Sequence, residues 1–324
     1  MRRREFLRLS GATIAGATMT VYLPGGASAA PAAAKWKIGF SQVTTNEPWR
    51  VQFNRDIEAE AKTHAEVDLI ITDGADKTER QVADVESLIR QAINVLLISP
   101  KESAGLTAVV EKAIDAEIPV IVLDRNLNTD RYTQFIANDN KLIGREAGKY
   151  AVGLLGGAGK ATGNVVEIWG GLGTEAAKDR HDGFHELTDI EAGIKNLLDR
   201  QSADGKPDQA YSIMATALRD NAKIDLVFGH DDLTAYGAFL AAKDAGRDKE
   251  MKLIGVGGLP DVGVRWVRNG ELTATFLYPT SGAEGLRQAI KLLNGEKLEK
   301  TITLPTMAIT KDNADQVLKD HGLL

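Results

Sequence analysis

Ile118-Pro119-Val120-Ile121-Val122-Leu123-Asp124-Arg125 is a short apolar run, mostly β-branched, that ends abruptly on an acid and a base. A strand covered on both faces reads as a continuous apolar run, whereas a half-exposed strand alternates. The stretch therefore predicts a buried strand over 120–123 with two charged residues at its carboxyl end. Working outward, runs of the same kind stand at 37–41, 67–72, 95–99, 133–137, 164–168, 225–228, 252–256 and 273–277. Amphipathic stretches separate them, as in Val82, Val85, Leu88, Ile89 and Ala92, whose spacing is helical. Strand and helix alternating along a whole chain predict an α/β fold built on parallel sheets with helices on both faces. No repeat of 20–50 residues is visible, which sets solenoids aside.

The amino-terminal segment reads differently. Residues 3–8 are Arg-Arg-Glu-Phe-Leu-Arg, a mild apolar stretch follows over 9–23, and Ala27-Ser28-Ala29 closes it. A basic start, a short apolar run and a small-x-small site describe a secretory signal, and the paired arginines with Phe6-Leu7 behind them resemble the twin-arginine type, an address read by a receptor. The apolar run is too short to span a bilayer, which takes about 20 residues; the plainer alternative is a basic tail before a buried helix. A signal over residues 1–29 predicts periplasmic localisation. It carries Arg2, Arg3, Arg4 and Arg8 against Glu5, so its loss moves the formal charge from −6 to −9. So acidic a chain argues against a nucleic-acid backbone as partner. The remaining 295 or so residues are near the length at which one core gives way to two. Absence of cysteine excludes disulfides, thiolate metal sites and cysteine nucleophiles. His181 and His185 share one side of a helix at a spacing that can hold a metal, but Asp182-Gly183-Phe184 between them forms no familiar motif, and neither a metal nor a cofactor is expected.

The nucleotide fingerprints are missing: no Gly-x-Gly-x-x-Gly opens a helix and no phosphate-loop motif occurs. Gly170-Gly171-Leu172-Gly173 reads as a tight strand-to-helix turn, with a phosphate cradle as the sharper alternative. Ligands of open parallel sheets bind beyond the carboxyl ends of the strands. There stand Asn46, Trp49 and Arg50, then Asp124-Arg125, Asn138-Asp139-Asn140, Trp169, Arg180, His230-Asp231-Asp232 and Tyr278. Carboxylates accept from hydroxyls, guanidinium forks donate to hydroxyl and ring oxygens, and aromatic faces cover C–H groups, a mixture suited to sugars. Each candidate has a duller reading. Asp124 and Arg125 would serve as a solvated pair, Asp232 as a helix cap, Trp49 as core, Arg180 as surface charge, and Asn138 with Asp139 as crossover geometry.

These residues carry a resemblance. Ile38-Gly39-Phe40-Ser41-Gln42, the 118–125 stretch, Asn138-Asp139-Asn140, Asp179-Arg180-His181-Asp182-Gly183-Phe184 and His230-Asp231-Asp232 resemble periplasmic sugar-binding proteins of the ribose and galactofuranose type, receptors of ATP-driven importers. Tyr278-Pro279-Thr280 with Gly282 and Asn294-Gly295-Glu296 resemble the periplasmic sensor domains of sugar-responsive kinases, of the same fold family. The resemblance implies a type I periplasmic binding protein: two doubly wound parallel-sheet lobes joined by three hinge crossovers, the first over 36–138 plus 279–305 and the second over 139–278 plus 306–324. It assigns Asn46, Trp49 and Arg50 to the first-lobe wall and Asp124 with Arg125 to the ligand grip. Arg180 and Asp232 grip from the second lobe, and Tyr278 sits near the hinge; Asp139 and Trp169 complete the set. Departures from the pattern are Gly205 where relatives carry an aromatic, Ser212 for a longer polar side chain and Gly257 for an aspartate; Trp169 is placed to refill part of the lost space.

The implied role is capture of a monosaccharide, with furanose and ketose forms included, by a monomer that delivers it to the permease of an ABC importer. The alternative output is a two-component sensor kinase. A glycosidase needs two carboxylates, one of them a general acid; Asp124 and Asp232 are available, but arginine and helix-cap surroundings are expected to keep both ionised. No enzyme is therefore expected.

Overall fold

A computed structural model describes residues 36–324. The amino-terminal signal reading falls outside the described residues. Twelve strands are found among them: β1 (Trp36–Gln42), β2 (Val67–Asp73), β3 (Val95–Ile98), β4 (Val120–Leu123), β5 (Gln134–Asn138), β6 (Thr162–Ile168), β7 (Gly193–Asn196), β8 (Leu226–Gly229), β9 (Lys252–Gly257), β10 (Ala274–Leu277), β11 (Thr301–Leu304) and β12 (Ala308–Thr310). The helices are α1 (Pro48–Ala61), α2 (Thr78–Arg90), α3 (Ser103–Asp115), α4 (Asn140–Leu154), α5 (Glu175–Thr188), α6 (Pro207–Asp220), α7 (Asp232–Asp244), α8 (Arg265–Asn269), α9 (Gly282–Leu293) and α10 (Ala314–Asp320).

The strands form two six-stranded sheets, ordered β2-β1-β3-β4-β5-β11 and β7-β6-β8-β9-β10-β12. All pairings are parallel except β10 with β12. The two lobes thus repeat one doubly wound plan, and the chain passes between them after β5, after β10 and after β11. In each sheet the strand order reverses beside the first strand, between β1 and β3 and between β6 and β8. The loops leaving those strands in opposite directions open a crevice there.

The central strands form because both faces are covered. Ile38, Phe40, Val95, Leu97, Ile121 and Leu123 are wholly inaccessible, and each such side chain contributes about 1.5–3 kcal/mol relative to exposure. Phe40 stacks on Phe53 of α1 at 5.1 Å, and Phe184 of α5 stacks on Phe228 of β8 at 4.5 Å, pinning one helix to each sheet. The nine strands expected from apolar runs are all present, with ends shifted by one or two residues. The sequence reading missed β7, β11 and β12. All three lie at sheet edges, and Gly193-Ile194-Lys195-Asn196 and Thr301-Ile302-Thr303-Leu304 are half exposed, so they lack the continuous apolar signature.

Helices α4 and α5 touch along glycines. A methyl group on Gly144 would overlap the Arg180 carbonyl, one on Gly183 would overlap the Lys141 carbonyl, and one on Gly148 would fall 2.6 Å from the Phe184 carbonyl oxygen. This close approach sets the height at which α5 presents Arg180.

Candidate binding site between the lobes

The 118–125 stretch ends on an unusual turn. Asp124 has φ +68°, and the Arg125 N–H donates to the Leu123 carbonyl at 2.8 Å, closing a three-residue turn around Asp124. A non-glycine residue held there stores about 1–3 kcal/mol of strain, which persists only where the surroundings over-determine it. The surroundings are Arg50 and Tyr278. Arg50, on the first turn of α1 and only 3% exposed, donates to Asp124 Oδ2 at 2.8 Å, to Ser99 Oγ at 2.7 Å and to Gln42 Oε1 at 3.3 Å. The Tyr278 hydroxyl donates to Asp124 Oδ1 at 2.8 Å. Burial works to raise Asp124, but Arg50 and Arg125 beside it, with these hydrogen bonds, hold its carboxyl below its ordinary value. Burial and the Asp124 charge push the Tyr278 phenol up to about 12, so it stays a neutral donor.

Tyr278 lies where the chain leaves β10 for the first lobe. Its carbonyl accepts from the Trp49 indole N–H at 2.9 Å, the two rings stand 5.5 Å apart, and the Arg180 guanidinium lies 4.7 Å over the phenol ring. Arg180 Nε donates to Asn140 Oδ1 at 2.9 Å and its Nη1 to the His230 carbonyl. Arg125 donates to the Lys101 carbonyl at 3.1 Å while 40% of its side chain stays exposed. Trp49, Arg50, Asp124 and Arg125 from one lobe therefore meet Tyr278 and Arg180 from the other. Glu47 belongs here too: its side chain stays half exposed, yet partial desolvation at the crevice mouth raises its carboxyl, Asp124 and Asp231 raise it further, and Arg50 and Arg125 oppose. Asp231 is of the second lobe, so its charge is felt across the crevice.

The other candidates are placed elsewhere. Asn46 is exposed in the loop before α1. Asp139 is an exposed N-cap whose carboxylate accepts from Leu142 N at 2.8 Å, while Asn138 Nδ2 donates to the Pro279 carbonyl at 3.1 Å across the crossover. Trp169 is buried: its indole donates to Glu167 Oε2 at 3.2 Å, it stacks on His230 at 5.3 Å and packs on His181 at 4.3 Å. The helix cap considered for Asp232 is supplied by Asp231, which accepts from Thr234 N at 2.7 Å. Asp232 accepts instead from Thr275 Oγ1 at 2.6 Å and Gly258 N at 2.8 Å.

Asp232 stays mostly ionised at neutral pH, as expected, but by a narrower margin than helix-cap surroundings implied. Burial outweighs both hydrogen bonds and pushes its carboxyl from an ordinary 3.8 to about 6. The folded protein then holds this proton more tightly than the unfolded chain, so the group's contribution weakens as pH rises from about 4 to about 6 and is fully lost above that. Two units correspond to roughly 3 kcal/mol. Asp232→Asn keeps the shape, and Thr275 can turn its hydroxyl to accept. Urea midpoints of this variant are expected to be flatter than the parent's across pH 4–6; parallel profiles would show that Asp232 does not titrate there.

Of the departures from the family pattern, Gly257 has φ +152°, and a side chain there would meet Asp232 Oδ2 at 2.6 Å. Gly205 has φ +71° beside Asp231, and Ser212 bonds the Asp208 carbonyl within α6. Sequence reasoning placed Asn140 at a strand end but missed Glu47 and Ser99 as partners of the arginines; Glu47 stands three residues before Arg50, while Ser99 reaches it from the loop after β3.

A cluster of different character stands behind Arg180. Glu167 of β6 is buried, and three imidazoles reach it: His181 Nδ1 at 2.9 Å and His185 Nε2 at 3.2 Å from Oε2, and His230 Nε2 at 2.9 Å from Oε1. Burial opposes its ionisation, yet these bonds hold Glu167 far below the carboxylate range; His185 rises to about 9, Glu167 and Asp189 outweighing its burial.

A model of the periplasmic binding protein domain matches residues 38–297. The chain is 31% identical over 273 residues to the ribose import binding protein of Bacillus subtilis, covering 84% of this chain and 86% of that one. It is 31% identical over 288 residues to the galactofuranose-binding protein of Escherichia coli, covering 86% and 87%. Among solved structures, the fructose binding periplasmic domain of a hybrid two component system superposes with a TM-score of 0.81 at 35% identity, covering 89% of this chain and 94% of that one. With two doubly wound lobes, a charged and aromatic crevice between them and a family match over most of its length, the chain belongs to the periplasmic binding protein family.

Proposed function

We propose that this protein captures a monosaccharide in the crevice between its lobes and delivers it to an ABC-type importer. One observation carries the reading: Asp124, Arg125, Trp49, Tyr278 and Arg180 converge from both lobes on one place, offering acceptor, donors and aromatic faces together. The ribose and galactofuranose receptors among its relatives support a pentose or a furanose form. No catalytic group is needed, since Asp124 is kept ionised and Asp232 is committed to Thr275 and Gly258.

The lobes act as two bodies, 36–138 plus 279–305 and 139–278 plus 306–324, and a ligand shifts them toward closure only through contacts it makes better in the closed form. Arg125 on one side and Arg180 on the other supply such contacts; Asn46, Asp139, Trp169 and Asp232 have a smaller part or none. A thermal-shift screen of pentoses, hexoses and polyols should find a ligand, which at 100 times its dissociation constant stabilises by about 2.7 kcal/mol. Small-angle scattering should then show a smaller radius of gyration with that sugar than without. An unchanged radius from an established open form would reject closure, and a screen with no sugar hit would reject the ligand class.

The fructose binding domain of a two component system, at 35% identity, favours a second output, in which the closed form is read by a sensor kinase. A pull-down of permease or kinase periplasmic segments with the loaded protein separates the two.

Residues 1–29 are proposed to direct export by the twin-arginine route to the periplasm. Arg3→Lys with Arg4→Lys keeps the charge and should leave folded protein in the cytoplasm; normal export of the double variant would overturn the route.

A further inference from the structure

We propose that Glu167, His181 and His185 form a binding site for a divalent transition-metal ion of the zinc type, apart from the sugar crevice. The three donor atoms, Glu167 Oε2, His181 Nδ1 and His185 Nε2, lie within 4.8 Å of one another. His181 and His185 come from successive turns of α5, and Glu167 reaches them from β6. The nitrogens stand 2.9 and 3.2 Å from the carboxylate oxygen. Ligands held at about 2.0–2.2 Å in a tetrahedron are roughly 3.4 Å apart, so the ion requires only small outward movements.

The surrounding hydrogen bonds are those a metal site uses. Asp189 Oδ1 lies 2.7 Å from His185 Nδ1. It accepts from the N–H at that nitrogen, so that when a metal displaces the proton on Nε2 the lone pair freed there faces the ion, which is the carboxylate–histidine–metal arrangement that fixes a ligand's tautomer. Glu167 is itself oriented by His230 Nε2 on Oε1 at 2.9 Å and by the Trp169 indole on Oε2 at 3.2 Å. Two imidazoles and one carboxylate suit zinc, cobalt or nickel, whereas calcium and magnesium require mostly oxygen ligands. Three protein donors leave at least one coordination position for water or a small ligand. A path exists as well: a cavity of about 430 Å³ opens beside the cluster, lined by Trp169, His181, Asp182 and Arg200 among others. Sequence reasoning saw the histidine pair and set it aside because Asp182-Gly183-Phe184 forms no familiar motif; the third ligand, 14 residues earlier on another element, has no signature in that spacing.

The test uses the untagged chain after chelator treatment. Titration with zinc chloride by calorimetry should show one saturable site per chain, and cobalt chloride should develop the visible bands of low-symmetry coordination by nitrogen and oxygen. His185→Ala and His181→Ala, each at a partly exposed position, should weaken zinc binding at least 10-fold with unchanged circular dichroism. Glu167→Gln should do the same where it folds. His64→Ala with His321→Ala should leave binding as it was. Failure of zinc to saturate, or one-to-one binding retained by the His181→Ala/His185→Ala double variant, would overturn the site and leave the cluster a hydrogen-bonded charge network only.

Discussion

Asp124→Ala is expected to abolish useful sugar binding and to destabilise the fold in one step. The carboxylate joins three elements: Arg50 at the start of α1, Tyr278 at the crossover and the turn after β4. Its removal strands Arg50, which is 3% exposed and retains Ser99, Gln42 and a distant Glu47 at 3.7 Å. Breaking a buried pair from one side costs about 3–5 kcal/mol. Losing the acceptor in a dry crevice costs the ligand a further 1–3 kcal/mol, and misplacement of Tyr278 adds to it, so affinity should fall about 100-fold. Asp124→Gly separates charge from backbone, because glycine accepts φ +68° freely where alanine loses about 1 kcal/mol. Urea unfolding should therefore rank the parent above the glycine variant and the glycine variant above alanine, with both equally poor in calorimetry against the screened sugar. Parent-like affinity in both would place the pocket elsewhere. Parent-like stability would show that Glu47 replaces the lost partner.

The second large effect concerns a residue that touches no ligand. Gly144→Ala puts a methyl group onto the Arg180 carbonyl, and relief requires α5 to move away from α4. Overpacking of this kind costs about 1–3 kcal/mol and sometimes more; the upper end applies, because backbone meets backbone. Arg180 moves with its helix, leaving its position over Tyr278 and its bond to Asn140. Sugar affinity should fall at least 10-fold along with the urea midpoint. Gly153→Ala in the same helix is the control, since nothing lies within 4 Å of the added methyl. It should raise stability by about 0.5–1 kcal/mol with affinity unchanged. Equal behaviour of the two variants would refute the role given to the α4–α5 contact.

The sequence by itself determined the architecture and half of the crevice. Runs such as Val120-Ile121-Val122-Leu123 carry their burial in their composition, and the strand-end rule then singles out Asp124, Arg125, Arg50 and Tyr278 without any coordinates. Only the tertiary structure decided how those charges are spent. That Arg50 is a buried support for Asp124 and that Asp232 is pushed toward neutrality depend on partners tens of residues away, and that Asp231 rather than Asp232 caps α7 follows once Asp232 is turned inward to Thr275 and Gly258. The same holds for the edge strands, which are recruited by a neighbour and carry no apolar run of their own, and for Glu167, whose meeting with His181 and His185 follows from the packing of α5 on β6. Periodicity records which face of an element is dry. It holds no record of which other element will face it, and charge, tautomer and acidity are set by that second fact.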